Sequence, residues 1–295
     1  MVMNSSKTDV FLWVLIPAAA AVAILEGLNF SDFFNMHGPS LLVTVCLIFA
    51  FIHANLRYGF KTVAFWLMIT IIIGNIYENT SIATGFPFGN YHYTDQLGPK
   101  FIFTPVIINV AYFQLLYLSW TLAHVLIDNY SNALKGIMIF IQPLIATFVM
   151  VMWDMVIDPH MSTVHHHWIW EEGGAYWGVP LSNYLGWYLC VYTMYQIFAL
   201  YIAKDKSLKT PDIMFTRKYW LQAASIYAAW PLMYLVKSVC VTNNAITALD
   251  NHVWHLKDMY QSSALVALST MCFIVLLVVI KVLVLKHVPE SENNI

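Results

Sequence analysis

Four carboxyl-bearing residues interrupt stretches otherwise free of charge: Glu26, Glu78, Asp154 and Asp158. An ionisable group inside an apolar run is expensive and as a rule faces a cavity or a partner. Asp154 and Asp158 stand four residues apart, so on a helix both carboxyls project from one face. Two acids so placed in a low-dielectric setting repel. One of them is expected to hold its proton near neutral pH, which turns a carboxyl group into a Brønsted acid. A plainer reading has Asp158, followed by Pro159, end its helix in interfacial water. Glu78, with Asn75 and Asn79 nearby, also suits a polar bridge between helices. Glu26, near the end of its run, reads as structural.

Aromatic side chains make up 16% of the residues, more than membrane-interface belts alone require. Trp153, Trp170, Tyr176, Trp177, Tyr184 and Trp187 all flank the acid-bearing segment. A carboxylic acid beside several π-faces suits one reaction class. The acid protonates an alkene, and the rings stabilise the carbocation, each contributing about 2 kcal/mol when desolvated. Such a reaction needs no cofactor, and no GxGxxG turn is present. His160 and the His165-His166-His167 run, with His252 and His255 further on, invite a metal reading of the membrane di-iron kind. Those sites draw on several histidine boxes and this chain has one cluster, so a solvated interfacial cluster is expected and no metal site.

The elements that hold these residues must be membrane helices. Of the 295 residues 60% are hydrophobic and only 10% charged, where a soluble domain has about a quarter charged. The near-balance of 14 basic and 16 acidic residues lacks the dense basic face that nucleic acid demands. Apolar runs long enough for about 30 Å of hydrocarbon fall at 10–30, 38–56, 62–83, 105–127, 136–158, 179–203, 218–240 and 262–285. The expected fold is therefore all-α: a single-domain, polytopic transmembrane bundle over 1–295 with about eight spans. The N-terminal segment reads as a first span rather than a cleaved signal.

Eleven of the fourteen Lys and Arg residues, from Lys7 and Arg57 through Lys206 to Lys286, fall in alternate connecting segments. Lys100, Lys237 and Lys257 fall in the others. That asymmetry predicts both termini in the cytoplasm. Residues 84–104 and 159–178 then become external loops, whose glycines permit tight turns back over a cavity. No cysteine pair has CxxC spacing, so Cys46, Cys190, Cys240 and Cys272 read as packing residues.

Three stretches resemble the CruF-type carotenoid hydratase family, which includes the bisanhydrobacterioruberin hydratases. They are Thr84 to Asp95 with the following Leu97-Gly-Pro-Lys100, Trp153-Asp-Met-Val-Ile-Asp-Pro159, and Trp168 to Trp187. The resemblance is carried by residues 70–200. It implies an integral protein of the cell membrane that adds water across the terminal C1=C2 alkene of an acyclic ψ-end group, giving a tertiary alcohol on a carotenoid. Its partners would be the lipophilic carotenoid, water and membrane lipid. The resemblance names no catalytic residues; the burial of acids in apolar runs makes Asp154 the expected proton donor, with Asp158 tuning it or orienting water. Glu78 and Asn183 position that water, and Trp153, Trp170, Tyr91 and Tyr176 wall the cation. A terpene cyclase or isomerase would use the same protonation without water. A proton-coupled lipid transporter, with Glu78 and Asp154 as relay, is the reading from another class.

Overall fold

The computed structural model describes residues 5–205, 207–248, 251–284 and 288. Lys206 and Lys286 from the basic count, and residue 285 at the end of the last expected span, lie outside them. The chain is an all-α bundle of α1 (Ser5–Gly27), α2 (Asp32–Thr84), α3 (Val106–Leu126), α4 (Met138–Pro159), α5 (Leu181–Lys204), α6 (Arg217–Tyr227), α7 (Ala229–Cys240), α8 (Leu256–Ala267) and α9 (Phe273–Val279). A π-turn, Leu268–Cys272, joins α8 to α9, and a second, Ile280–Val284, follows it, so 256–284 is one apolar rod.

Among the described residues six helices are long and apolar enough to cross a membrane, two fewer than the eight runs read from the sequence. The first difference is α2, which carries the second and third expected spans across Gly59 at φ 72°, ψ 159°. Its 53 residues would run about 80 Å if straight. Yet Pro39, Val43 and Leu47 before Gly59 line the same cavity as Glu78 after it. The chain turns back at Gly59, in a backbone conformation that side-chain-bearing residues adopt only under strain. The second difference is the seventh span, divided between α6 and α7. Pro231 has no N–H for the Tyr227 carbonyl, so the helix breaks one turn before it.

Two further prolines free carbonyls that distant side chains then satisfy. Pro143 leaves the carbonyl of Ile139, which accepts from Gln196 Nε2 at 3.2 Å. Pro159 leaves that of Met155, which accepts from the Tyr176 hydroxyl at 3.1 Å. At the end of the bundle near Gly59, buried Arg57 donates from Nε to Asn132 Oδ1 at 2.7 Å, and Asn132 in turn donates to the carbonyl of Lys209. The basic loops therefore gather at that end.

At the other end the two long loops pair. β1 (Tyr91–Tyr93), in the loop after α2, runs antiparallel to β4 (Trp168–Trp170), in the loop after α4. Tyr91 faces Trp170 and Tyr93 faces Trp168 across the ladder. In the same region β2 (Lys100–Phe101) and β3 (Thr104–Pro105) form a short hairpin leading into α3. A third hairpin, β5 (Ala245–Thr247) with β6 (Val253–His255), precedes α8. Gly186 lets the first loop lie directly on α5: a Cβ there would sit 2.6 Å from the Phe88 ring and 3.0 Å from the Pro87 backbone.

A Cβ at Gly59 meets nothing within 4 Å, so any penalty for adding one is backbone strain. Gly59→Ala is expected to lower stability by about 1–3 kcal/mol, read as a lower thermal unfolding midpoint of the purified protein. An unchanged midpoint would mean that the reversal does not depend on glycine.

Candidate active site

The paired loops close over a cavity of about 210 Å³. Glu78 enters it from α2, Tyr112 and Gln114 from α3, Trp153, Asp154 and Asp158 from α4, and Asn183 and Trp187 from α5. Tyr91, Tyr93, Trp168 and Trp170 come from the loop sheet, and Trp230 from α7. The alternation of β1 explains how one short strand serves the cavity twice. Tyr91 and Tyr93 point inward and are buried, and His92 between them is exposed.

Each carboxyl is held differently. Glu78 accepts from three phenols: Tyr91, Tyr112 and, at 3.0 Å, Tyr93. Burial first, and then the neighbouring carboxylate, push the Tyr91 and Tyr93 phenols well above their usual range, so both remain donors. Asp158 accepts from Asn183 Nδ2 at 2.6 Å and from Trp168 Nε1 at 2.7 Å. Asp154 accepts only from the same Asn183 nitrogen, at 3.2 Å. Its other oxygen has no hydrogen-bond partner among the described residues, and the side chain lines the cavity. One amide nitrogen thus bridges the two aspartates, which the i, i+4 spacing sets on one face of α4. Asp154 alone keeps an oxygen free for a bound molecule.

The walls are aromatic. Tyr91 lies 4.8 Å from Trp170 between ring centroids, Tyr112 stands edge-on to Trp187 at 4.9 Å, and Trp153 edge-on to Trp230 at 5.4 Å. Some polar atoms of the lining residues are unpartnered. The Trp153 and Trp170 indole nitrogens and both ends of the Gln114 amide are buried without a hydrogen-bond partner.

Glu78, Asp154, Asp158, Trp153, Tyr91, Trp170 and Asn183, all singled out in the sequence, meet in this cavity. Tyr176 does not line it. Its hydroxyl serves the carbonyl freed by Pro159, and its ring packs on Tyr184. Glu26 is away from it, in a buried ion pair with Lys237 at 2.6 Å. Tyr93, Tyr112, Trp230 and Gln114 were not singled out. Tyr93 is legible from its place two residues after Tyr91, but Tyr112 and Gln114 on α3 and Trp230 on α7 carry no local mark. His160 corrects the expectation of a solvated histidine cluster: it is buried, bonded to Ser263 at 2.8 Å and stacked on Tyr260. Burial, aided by His167 beside it, pushes the His165 imidazole down to about 4, so it is neutral at pH 7. Among the described residues no three His, Cys, Asp or Glu side chains are grouped to hold a metal ion. Cys46 and Cys190 are buried in packing, whereas Cys240 is exposed and Cys272 half-buried.

Residues 38–250 match the profile of a family described as carotenoid biosynthesis protein. Over 194 residues the chain is 28% identical to the bisanhydrobacterioruberin hydratase of Haloarcula japonica, covering 64% of this chain and 62% of that protein. No solved structure matches.

If the phenols hold Glu78 in place, Tyr112→Phe removes a buried donor at a cost of about 1–3 kcal/mol. Thermal unfolding should show that loss, and Tyr188→Phe, half-buried away from the acids, should not. Equal midpoints for the two variants would contradict the assigned hydrogen bonds.

Proposed function

The chain belongs to the carotenoid biosynthesis protein family, and from that premise we propose that it hydrates the terminal C1=C2 alkene of an acyclic carotenoid end group. The observation that carries the reading is the Asp154 carboxyl. It is buried, bridged to Asp158 through Asn183, and has one oxygen free inside an aromatic cavity.

The Asp154 carboxyl transfers its proton to C2. The π electrons of the alkene form the new C–H bond, and a tertiary cation is left at C1. Trp153, Trp170, Trp187 and Tyr91 border the space in which that charge forms, and their faces attract it. Water attacks C1, and the proton it sheds returns to the Asp154 carboxylate. The net change is the addition of one water, with no redox step and no cofactor.

Asp158 and Glu78 take a different part, because their oxygens are already occupied by donors from Asn183, Trp168 and the three tyrosines. They fix the positions of those groups around the reacting end, and the lone pairs that those donors leave free offer acceptors to water. This favours capture by water over cyclisation, which would call for a dry pocket.

In this reading the protein is multi-pass in the cell membrane, with the basic end at Arg57 and Lys209 cytoplasmic and the cavity at the opposite side. A reporter in the 84–104 loop that reads cytoplasmic would contradict that orientation.

Asp154→Asn keeps the size and hydrogen bonding of the side chain and removes the acidic proton. Turnover of an acyclic carotenoid, compared at matched folded protein, is expected to fall by roughly two to four orders of magnitude. Glu26→Gln, which weakens the ion pair with Lys237, should reduce the yield of folded protein and leave turnover per folded molecule unchanged. Near-normal turnover by Asp154→Asn would end the assignment of Asp154.

A further inference from the structure

The cavity is too small for the molecule it is proposed to act on. A pocket that encloses a drug-sized ligand measures roughly 300–1,000 Å³, and this one holds about 210 Å³. An end group fits, and the remaining polyene must leave the bundle. Its course is marked by lining residues far from the acids.

Along α2, Pro39, Val43 and Leu47 line the cavity at helical spacing, with Ser40 and Thr44 on the next ridge. Along α3, Ile107, Ala111 and Gln114 do the same. Both stripes descend from the loop end toward the middle of the bundle, and eight residues from Pro39 to Leu47 cover about 12 Å. Ser40, Thr44 and Ile107 line the cavity and are themselves exposed, which points to an opening sideways between the two helices. Further down the helices close. Phe51 packs on Phe113 with ring centroids 5.6 Å apart, and His53 bonds the Tyr117 hydroxyl. Leu97 closes the top. The hairpin that follows it carries Phe101, Ile102 and Phe103, all exposed apolar residues, directly before α3. Exposed apolar side chains at this level suit the border between headgroups and hydrocarbon.

We infer that the slot between α2 and α3, bounded below by Phe51 and Phe113, is a binding site for a linear polyene running in from the lipid, with its end group at Asp154. The inference rests on the reading of the cavity as a carotenoid site and adds the route and orientation of the substrate. The slot is apolar along Pro39, Val43, Leu47, Ile107 and Ala111, so it accepts a hydrocarbon chain without regard to direction. The polar end of the cavity selects the terminus that can be protonated.

The test uses the full-length protein in lipid vesicles, with Cys240→Ser and Cys272→Ser removing the exposed and half-buried thiols. Thr44→Cys or Ile107→Cys then sets a thiol at the mouth. Phe148→Cys, on the exposed side of α4 and outside the cavity, is the control. Alkylation by a membrane-permeant maleimide is timed with and without lycopene, an acyclic polyene, and lycopene turnover is measured for the same background. Lycopene at about ten times its Kd should slow alkylation at positions 44 and 107 roughly tenfold, with no change at 148. Turnover without protection at either mouth position overturns the slot and leaves the hydratase reading standing. Protection without turnover upholds the slot and overturns the hydratase. Neither turnover nor protection overturns both.

Discussion

Three carboxyl groups buried at one end of an apolar bundle have to find their hydrogen bonds within the protein, because lipid offers none. The two long loops take their form from that requirement. Helices α2 and α4 bring Glu78, Asp154 and Asp158 into one space, but the neighbouring helices supply only Tyr112 and Asn183 as donors. The remaining donors, Tyr91, Tyr93 and Trp168, sit on the small sheet formed by the two loops. Pairing β1 with β4 therefore does two things at once. It roofs the cavity and satisfies the acids beneath it. The same groups that make the burial of charge tolerable are the ones that line the cavity.

The distribution of donors separates three chemically similar side chains. Glu78 accepts from three phenols, Asp158 is held by an amide and an indole, and Asp154 shares the amide at longer range. A carboxyl whose oxygens are all engaged is a fixed part of the wall. One with a free oxygen can reach a substrate. The phenol contacts at Glu78 also hold β1 against α2, which fixes the first loop over the cavity. Such preorganisation matters for a carbocation, because the surrounding dipoles must be set before the charge appears.

Much of this was legible in the sequence, for identifiable reasons. Lipid imposes a length on every apolar run, so α3, α4 and α5 fall within a few residues of their expected limits. The i, i+4 relation of Asp154 and Asp158 survives in any α-helix, so their common face followed from spacing alone. What spacing does not carry is the meeting of different elements. Tyr112 reaches Glu78 from another helix, and Tyr176 is drawn away by a carbonyl that Pro159 leaves free. His160 looked like part of an interfacial run, yet the π-turn His160–Val164 carries it inward against α8. Gly59 and Pro231 show the limit from the other side. Both were visible as residues, but whether a glycine reverses a helix or a proline breaks one depends on packing that local sequence does not state.

The central claim is that the cavity adds water to an alkene, so the oxygen of the product must come from solvent. Purified protein in vesicles, supplied with lycopene in heavy-oxygen water under anaerobic conditions and with chelator present, tests this most directly through the mass spectrum of the product. The account predicts a product heavier than lycopene by one water for each hydrated end, with the heavy isotope in its hydroxyl. A product of unchanged mass, or a hydroxyl without the label, would contradict it.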